Sequence, residues 1–126
     1  MKFNSRQTIQ NLENAVLKGY NLPIFKGYKA INKIGVEKLI DELYAHLPDD
    51  VLKAREYLRT RNYEIKPENK KNTMYQTLQE LETKLNEGFP LFAEIIILNI
   101  RDIENLLKQL ENNLPEEIIK AELLSK

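Results

Sequence analysis

Apolar residues recur at helical spacing in two stretches of the first half of the chain. Ile9, Leu12 and Val16 fall at positions i, i+3 and i+7, which places them on one stripe of an amphipathic helix. A second stripe follows after a more polar segment. It is formed by Leu39, Ile40, Leu43 and Leu47. The spacing therefore predicts two helices, each with one apolar face.

The same order of residues returns in the second half. Residues 7–13 (QTIQNLE) match 76–82 (QTLQELE), and residues 47–54 (LPDDVLKA) match 114–121 (LPEEIIKA). Leu78, Leu81 and Leu85 repeat the first stripe, and Leu106, Leu107, Leu110 and Leu114 repeat the second. Agreement in order, spacing and residue character indicates a tandem duplication of a unit of roughly sixty residues.

Helix ends can be placed in each unit. Gly19 and Gly88 follow the first stripe, where a residue with positive φ commonly ends a helix. Asn32 and Asn99 precede the second stripe and are suited to cap its helix. The two units thus share the same predicted helix boundaries.

A proline directly follows the last leucine of the second stripe in both units. Pro48 and Pro115 would interrupt a continuing helix, but at the first position of a third helix the missing N–H costs nothing. Asp49-Asp50 and Glu116-Glu117 come next, where carboxylates favour the positive end of a helix dipole. Each unit is therefore predicted to contain three helices.

The segment between the first two helices has two interpretations. Residues 91–98 are rich in β-branched side chains and, with 24–31, could give one short strand per unit, paired across a pseudo-two-fold axis. The alternative is a continuous helix through 91–113. We expect a mainly α protein of two tandem three-helix repeats packed as a pseudo-two-fold pair.

A unit of this size buries too little surface to be stable alone, so one compact domain is expected. Its parts are repeat 1 at 1–61, a polar linker at 62–73 and repeat 2 at 74–126.

Charge and composition exclude several classes of function. Residues 1–71 carry 14 basic and 9 acidic residues (net +5), and residues 72–126 carry 5 and 10 (net −5). Because basic and acidic residues are mixed, we expect attraction between the halves or between chains and no nucleic-acid face.

The absence of cysteine excludes disulfides, zinc–thiolate sites and thiol catalysis. The N-terminus has no apolar signal-peptide core and no segment is long enough to span a bilayer, so a cytoplasmic protein is expected.

No catalytic pattern is found. His46 is the single histidine, and Asn113 takes its place in the second unit. Adjacent acids such as Asp49-Asp50 point in different directions on a helix and are accounted for by the dipole. No phosphate-binding loop, nucleophile elbow or zinc-helix motif occurs. We predict that the protein is not an enzyme and needs no cofactor or metal.

The tyrosines suggest a binding surface. Tyr20 corresponds to Phe89, and is expected in the core. Tyr28, Tyr44 and Tyr63 have no apolar counterpart in the second unit. Because tyrosine is favoured where one edge is buried and the hydroxyl is wet, these three, with His46, are the candidate interaction surface.

The run from Leu12-Glu13 through Ile31-Asn32 to Leu47-Pro48-Asp49-Asp50 and Lys53-Ala54 resembles the head segment of cyanobacterial proteins described as DivIVA-like or ATP-synthase-stalk-like. In those proteins a long charged coiled coil follows the head, whereas here a second copy follows. The resemblance implies a helical self-association module without catalytic residues.

We predict a non-enzymatic helical scaffold or protein–protein interaction module, which binds a protein partner or itself. The alternative is a small regulatory protein that binds a ligand or partner in the groove between the repeats.

Overall fold

The computed structural model describes residues 2–63 and 70–126. Along these residues the order helix, strand, strand, helix occurs twice. The elements are α1 (Asn4–Leu17), β1 (Tyr20–Asn21), β2 (Tyr28–Asn32), α2 (Lys33–Thr60), α3 (Lys70–Glu87), β3 (Phe89–Phe92), β4 (Ile95–Asn99), α4 (Ile100–Asn112) and α5 (Glu116–Leu124). Of the predicted linker at 62–73, residues 64–69 lie outside the described part, and α3 already begins at Lys70.

The strands form one antiparallel sheet in the order β1-β2-β4-β3. The prediction of two three-helix repeats with at most one strand each is therefore wrong, because each half contributes a two-stranded hairpin. A lone hairpin is marginally stable, and joining the two hairpins at β2 and β4 gives a sheet large enough to pack against helices. In that central pair Ala30 lies opposite Ile97. The interpretation of 91–113 as one helix is also excluded.

Each hairpin turn is bonded to a helix of the other half. The amide of Ile100, which begins α4, donates to the carbonyl of Gly27 at 2.8 Å, and the amide of Lys33 donates to the carbonyl of Glu94 at 2.9 Å. These amides have no partner within their own helices. The predicted caps are confirmed as well: the side chains of Asn32 and Asn99 accept from Gly35 and Arg101, both at 3.0 Å.

The predicted helical stripes form the core. Their buried members are Ile9, Leu12, Val16, Ile40, Leu43, Leu47, Leu78, Leu81, Leu85, Leu106, Leu107, Leu110 and Leu114. Leu39 alone of the predicted first-half stripes is only partly buried. Ile31, Ile96 and Leu98 of the sheet close the core from one side. Helical periodicity thus identified the helix faces correctly.

The two prolines have different roles. Pro48 lies inside α2, which runs on to Thr60, so the third helix predicted to start there does not exist. Pro48 is exposed, while Leu47, Val51 and Ala54 on the same helix are buried. Packing on both sides of the proline therefore outweighs its cost of about 3 kcal/mol within a helix. In the second half the chain does break: α4 ends at Asn112, and Pro115, in an extended conformation, precedes α5.

The glycines that follow the first helix of each half do not have the predicted positive φ. Among the described glycines only Gly27 has one, at 84°. Gly88 is needed for space instead, because a Cβ there would lie 2.9 Å from the side chains of Ile96 and Leu98. At Gly19 it would lie 3.0 Å from the carbonyl of Ala30. The helix ends directly against the sheet at both places.

Candidate protein-binding surface

The two faces of the sheet have different environments. Side chains alternate between the faces of a strand, and in β4 Ile96 and Leu98 point into the helical core, where they are buried. Ile95 and Ile97 alternate to the opposite side and are half-buried. We call this opposite side the outer face.

An uncharged row crosses all four strands on the outer face. The register places Tyr20 opposite Ala30, Ala30 opposite Ile97, and Ile97 opposite Phe89. Tyr20 is 73% exposed and Phe89 is 68% exposed. Phe92, beside Ile95, is 67% exposed. Aromatic side chains therefore stand in solvent at both ends of the row.

Further exposed apolar residues lie in the hairpins beside this row. We define the apolar face as Tyr20, Ile24, Phe25, Tyr28, Phe89, Leu91 and Phe92, all of which are exposed. With about 200 Å² for a fully accessible large side chain, their exposed fractions amount to roughly 900 Å² of surface. The largest apolar patch of a typical monomer is about 300–600 Å². The four residues that the strand register places on the outer face, Tyr20, Tyr28, Phe89 and Phe92, account for roughly 500 Å² of this surface, and a patch of that size is often functional.

The prediction that Tyr20 and its counterpart Phe89 belong to the core is wrong. Both have large aromatic side chains and recur at matching positions, a pattern that predicts core residues. Burial in a sheet depends on which face a strand turns to the helices, and the β1 and β3 segments are too short to show an alternation in sequence. One feature of the sequence did indicate exposed apolar residues in both hairpins. It is the Pro-x-Phe pattern of residues 23–25, which recurs at residues 90–92.

The four residues of the predicted interaction surface lie on different elements. Tyr28 belongs to the apolar face. Tyr44 lies on α2, half-buried, with its ring stacked on that of Tyr75 at 5.7 Å between centroids. His46 is half-buried two residues further along α2, and residues at that spacing do not share a face of a helix. Tyr63 follows the end of α2, with the Lys120 ammonium 5.9 Å from its ring centre. The structure does not bring these four together.

Two grooves separate the halves at matching places. Between α1 and α4 a cavity of about 300 Å³ is lined by Glu13, Val16, Leu17, Glu104, Leu107, Lys108 and Glu111. Between α3 and α2 the counterpart is about 180 Å³ and is lined by Glu37, Ile40, Asp41, Glu82 and Asn86. A wider groove of about 550 Å³ between α3 and α4 is lined almost entirely by polar residues.

Unequal pairs of side chains bridge the halves beside these grooves. The carboxyl of Glu13 shares a hydrogen bond with Glu111, and this bond, burial and the repulsion between the acids raise the pKa of Glu13 to about 7, with Arg6 opposing. At the matching place Tyr44 is hydrogen-bonded to Glu82, and burial followed by the Glu82 charge raises the pKa of Tyr44 to about 12. Of these two raised pKa values, only that of Glu13 lies near neutral pH.

Two further observations concern metal ligands and helix hydrophobicity in the described residues. Within residues 2–63 and 70–126, no group of three histidine, cysteine or acidic side chains is arranged to hold a metal ion. No helix in the same part of the chain has the length and apolar character needed to cross a bilayer.

No family model matches the chain, and neither the curated proteins nor the solved structures include a match.

Proposed function

We propose that this protein is a non-enzymatic interaction or scaffold module that binds a protein through the apolar face. The observation that carries the proposal is the exposure of Tyr20, Phe89 and Phe92 on one side of the sheet. Large aromatic side chains are enriched at the centres of protein interfaces, where they supply much of the binding energy. The resemblance to self-association head segments favours the same class of function.

The rigidity of the sheet supports this proposal. Both hairpin turns are fixed to helix N-termini by the Ile100–Gly27 and Lys33–Glu94 hydrogen bonds. An aromatic surface held in place in the free protein loses little conformational entropy on binding. We propose further that the two halves are a duplicated unit, since the same elements present equivalent aromatic residues on one face.

Site-specific photo-cross-linking in the native cell tests the proposal. A photoreactive amino acid in place of Phe89 should give discrete protein adducts. The matched control is Leu52, which is 62% exposed on α2 and lies outside the apolar face. We expect no discrete adduct at that position. A folded protein that gives no adduct at Phe89, or the same adducts at Leu52, would contradict the assignment of the binding surface.

A second candidate function is ligand binding in the groove between α1 and α4. The groove combines an apolar floor at Val16 and Leu107 with the acidic pair Glu13 and Glu111, and its lining differs from that of its counterpart. This chemistry suits a small amine with an apolar substituent. A thermal-shift screen of phenylalkylamines against the corresponding carboxylic acids tests it. A Tm increase confined to the amines and lost in Glu111→Gln supports the idea, and no shift with any amine refutes it.

A further inference from the structure

The apolar face also carries information about its partner. On the basis of the proposed function, we infer that this partner is a second copy of the same chain, packed sheet against sheet about a two-fold axis parallel to the strands. Three observations support this choice: the area of the face, its lack of charge and the distribution of charges along its two edges.

The area fits one side of a stable dimer. Interfaces of standard size bury about 800 Å² on each partner. At about 200 Å² per large side chain, the outward Tyr20, Tyr28, Phe89 and Phe92 expose roughly 500 Å², and Ile24, Phe25 and Leu91 of the hairpins bring the total to roughly 900 Å². Two sheets packed face to face lie about 10 Å apart with strands nearly aligned, so that side chains of both outer faces interdigitate. A second copy would cover the four outward aromatic residues at once.

The outer face has no charged group that would select a different partner. The outward positions of the four strands, by alternation and register, are Tyr20, Tyr28, Ala30, Asn32, Phe89, Phe92, Ile95, Ile97 and Asn99. A two-fold axis parallel to the strands exchanges the β1 and β3 sides of the sheet. Tyr20 then meets Phe89 of the partner subunit at each end of the interface, and the buried Ala30 and the half-buried Ile97 form the floor of the face between them. Aromatic pairs of this kind stabilise an interface beyond their buried area.

The charges at the two edges of the sheet are opposite. Lys18 precedes β1 and Lys26 lies in the turn after it, whereas Glu87 precedes β3 and Glu94 lies in the turn after that strand; all four are exposed. The same two-fold axis lays the basic edge over the acidic edge of the partner. Lys26 then faces Glu87 of the partner subunit, and Lys18 faces Glu94 of the partner subunit, so four opposite-charge contacts surround the apolar centre.

These edge charges also decide against a lipid surface. A face that binds anionic membranes is bordered by lysine and arginine throughout, whereas here one border is acidic. Among the described residues, the Lys84 ammonium lies 3.9 Å from the Glu87 carboxylate and is a weak competitor. A solvated pair of that kind contributes little and can be exchanged for one across the interface.

Sedimentation velocity of the full 14.8 kDa chain, over a range of protein and salt concentrations, is the experiment. We expect a species of twice the chain mass that dissociates on dilution. Phe89→Ser should weaken dimerisation by about thirtyfold, as expected for loss of an aromatic anchor. Leu52→Ser, at an exposed position outside the face, should leave the dimer unchanged. Circular dichroism and urea unfolding establish that every variant is folded.

Charge reversal tests the orientation of the two copies. Lys26→Glu and Glu87→Lys should each weaken the dimer about five- to tenfold at low salt, and the double variant should restore it. A dimer whose affinity none of these substitutions changes would overturn the inference, because the interface would then lie elsewhere.

A protein that is monomeric at every concentration would also overturn the dimer. If the Phe89 photo-cross-linker still captured another protein, the proposed function would stand while the dimer failed; if it captured none, both would fail. A monomer that co-sediments with phosphatidylserine–phosphatidylcholine vesicles, with binding lost in Phe89→Ser, would replace the second copy by a membrane.

Discussion

Replacing Asp50 by alanine tests how the N-terminus of α1 is held. The N-cap residue of this helix, Phe3, provides no side-chain hydrogen bond. Asp50 of α2 provides one instead: its Oδ2 atom accepts from the amide and from the hydroxyl of Ser5, both at 2.6 Å. Asp50 is 3% exposed and Ser5 is fully buried. The Asp50 carboxylate, 45 residues further along the chain, therefore takes the place of an N-cap side chain.

The expected cost follows from these two bonds. A hydrogen bond to a charged group contributes about 1.5–3 kcal/mol, and an unsatisfied buried donor costs about 1–3 kcal/mol. Asp50→Ala removes both bonds at once, and we expect it to lower the free energy of unfolding by about 3–5 kcal/mol. Ser5→Ala removes only the hydroxyl and should cost about 1–2 kcal/mol. Asp49→Ala, at the exposed neighbouring position, should change it by less than about 0.5 kcal/mol.

Urea unfolding followed by circular dichroism at pH 7 measures all three variants and the Ser5/Asp50 double variant. Because the two residues contact each other, the double-mutant cycle should give a coupling energy of at least about 1 kcal/mol. An Asp50→Ala variant that loses no more stability than Asp49→Ala, or single effects that add without coupling, would refute this role of Asp50.

Three further predictions concern the prolines, a glycine and the carboxyl pair. Pro48→Ala should stabilise the protein by about 1–3 kcal/mol in urea unfolding, because it restores a backbone hydrogen bond inside α2. Pro115→Ala, ahead of α5, should bring no gain. Equal effects of the two substitutions would contradict the different roles assigned to the prolines. Gly88→Ala should lower the free energy of unfolding by about 1–3 kcal/mol through the clash with Ile96 and Leu98. Gly35→Ala, where α2 has room for a methyl group, should raise the free energy of unfolding by about 0.5–1 kcal/mol. Destabilisation by both substitutions would point to a backbone effect instead of the clash. Since the pKa of Glu13 is raised in the folded state from 4.5 to about 7, the stability that this group contributes is complete below pH 4.5 and is lost as the pH rises through 7. Glu13→Gln should therefore be more stable than the wild type at pH 8 but not at pH 4. The difference at pH 8 should be less than about 1 kcal/mol, because Glu13 and Glu111 are partly solvated. Unfolding midpoints with the same pH dependence in both proteins would exclude a proton shared by the two carboxyl groups.

Features that depend on neighbours along the chain followed from the sequence. The helical stripes, for example Leu78, Leu81 and Leu85, are buried as their spacing predicts, since helical periodicity and apolar burial act within one element. Asn32 and Asn99 cap their helices because an asparagine side chain reaches the amide two or three residues ahead, whatever lies around it.

The Leu-Pro pair of each half adopts a different structure because the packing around the two pairs differs. Leu47-Pro48 continues a helix and Leu114-Pro115 breaks one, because residues on both sides of Pro48 are buried against the rest of the molecule. Glycine at position 88 reflects contact with a strand several residues further along the chain. Neither contact has a signature in the residues around the proline or the glycine.

The sequence by itself therefore determined the apolar faces of the helices and their asparagine caps, and it indicated two similar halves of opposite charge, but it placed a helix boundary at Pro48 where α2 continues. Only the tertiary structure decided that the halves meet through a four-stranded sheet, and which side of that sheet faces solvent. The physical reason is that one residue's shift in strand register exchanges the two faces of a sheet. The exposure of Tyr20 and Phe89 is fixed by pairing between distant strands, and both proposals for this protein depend on it.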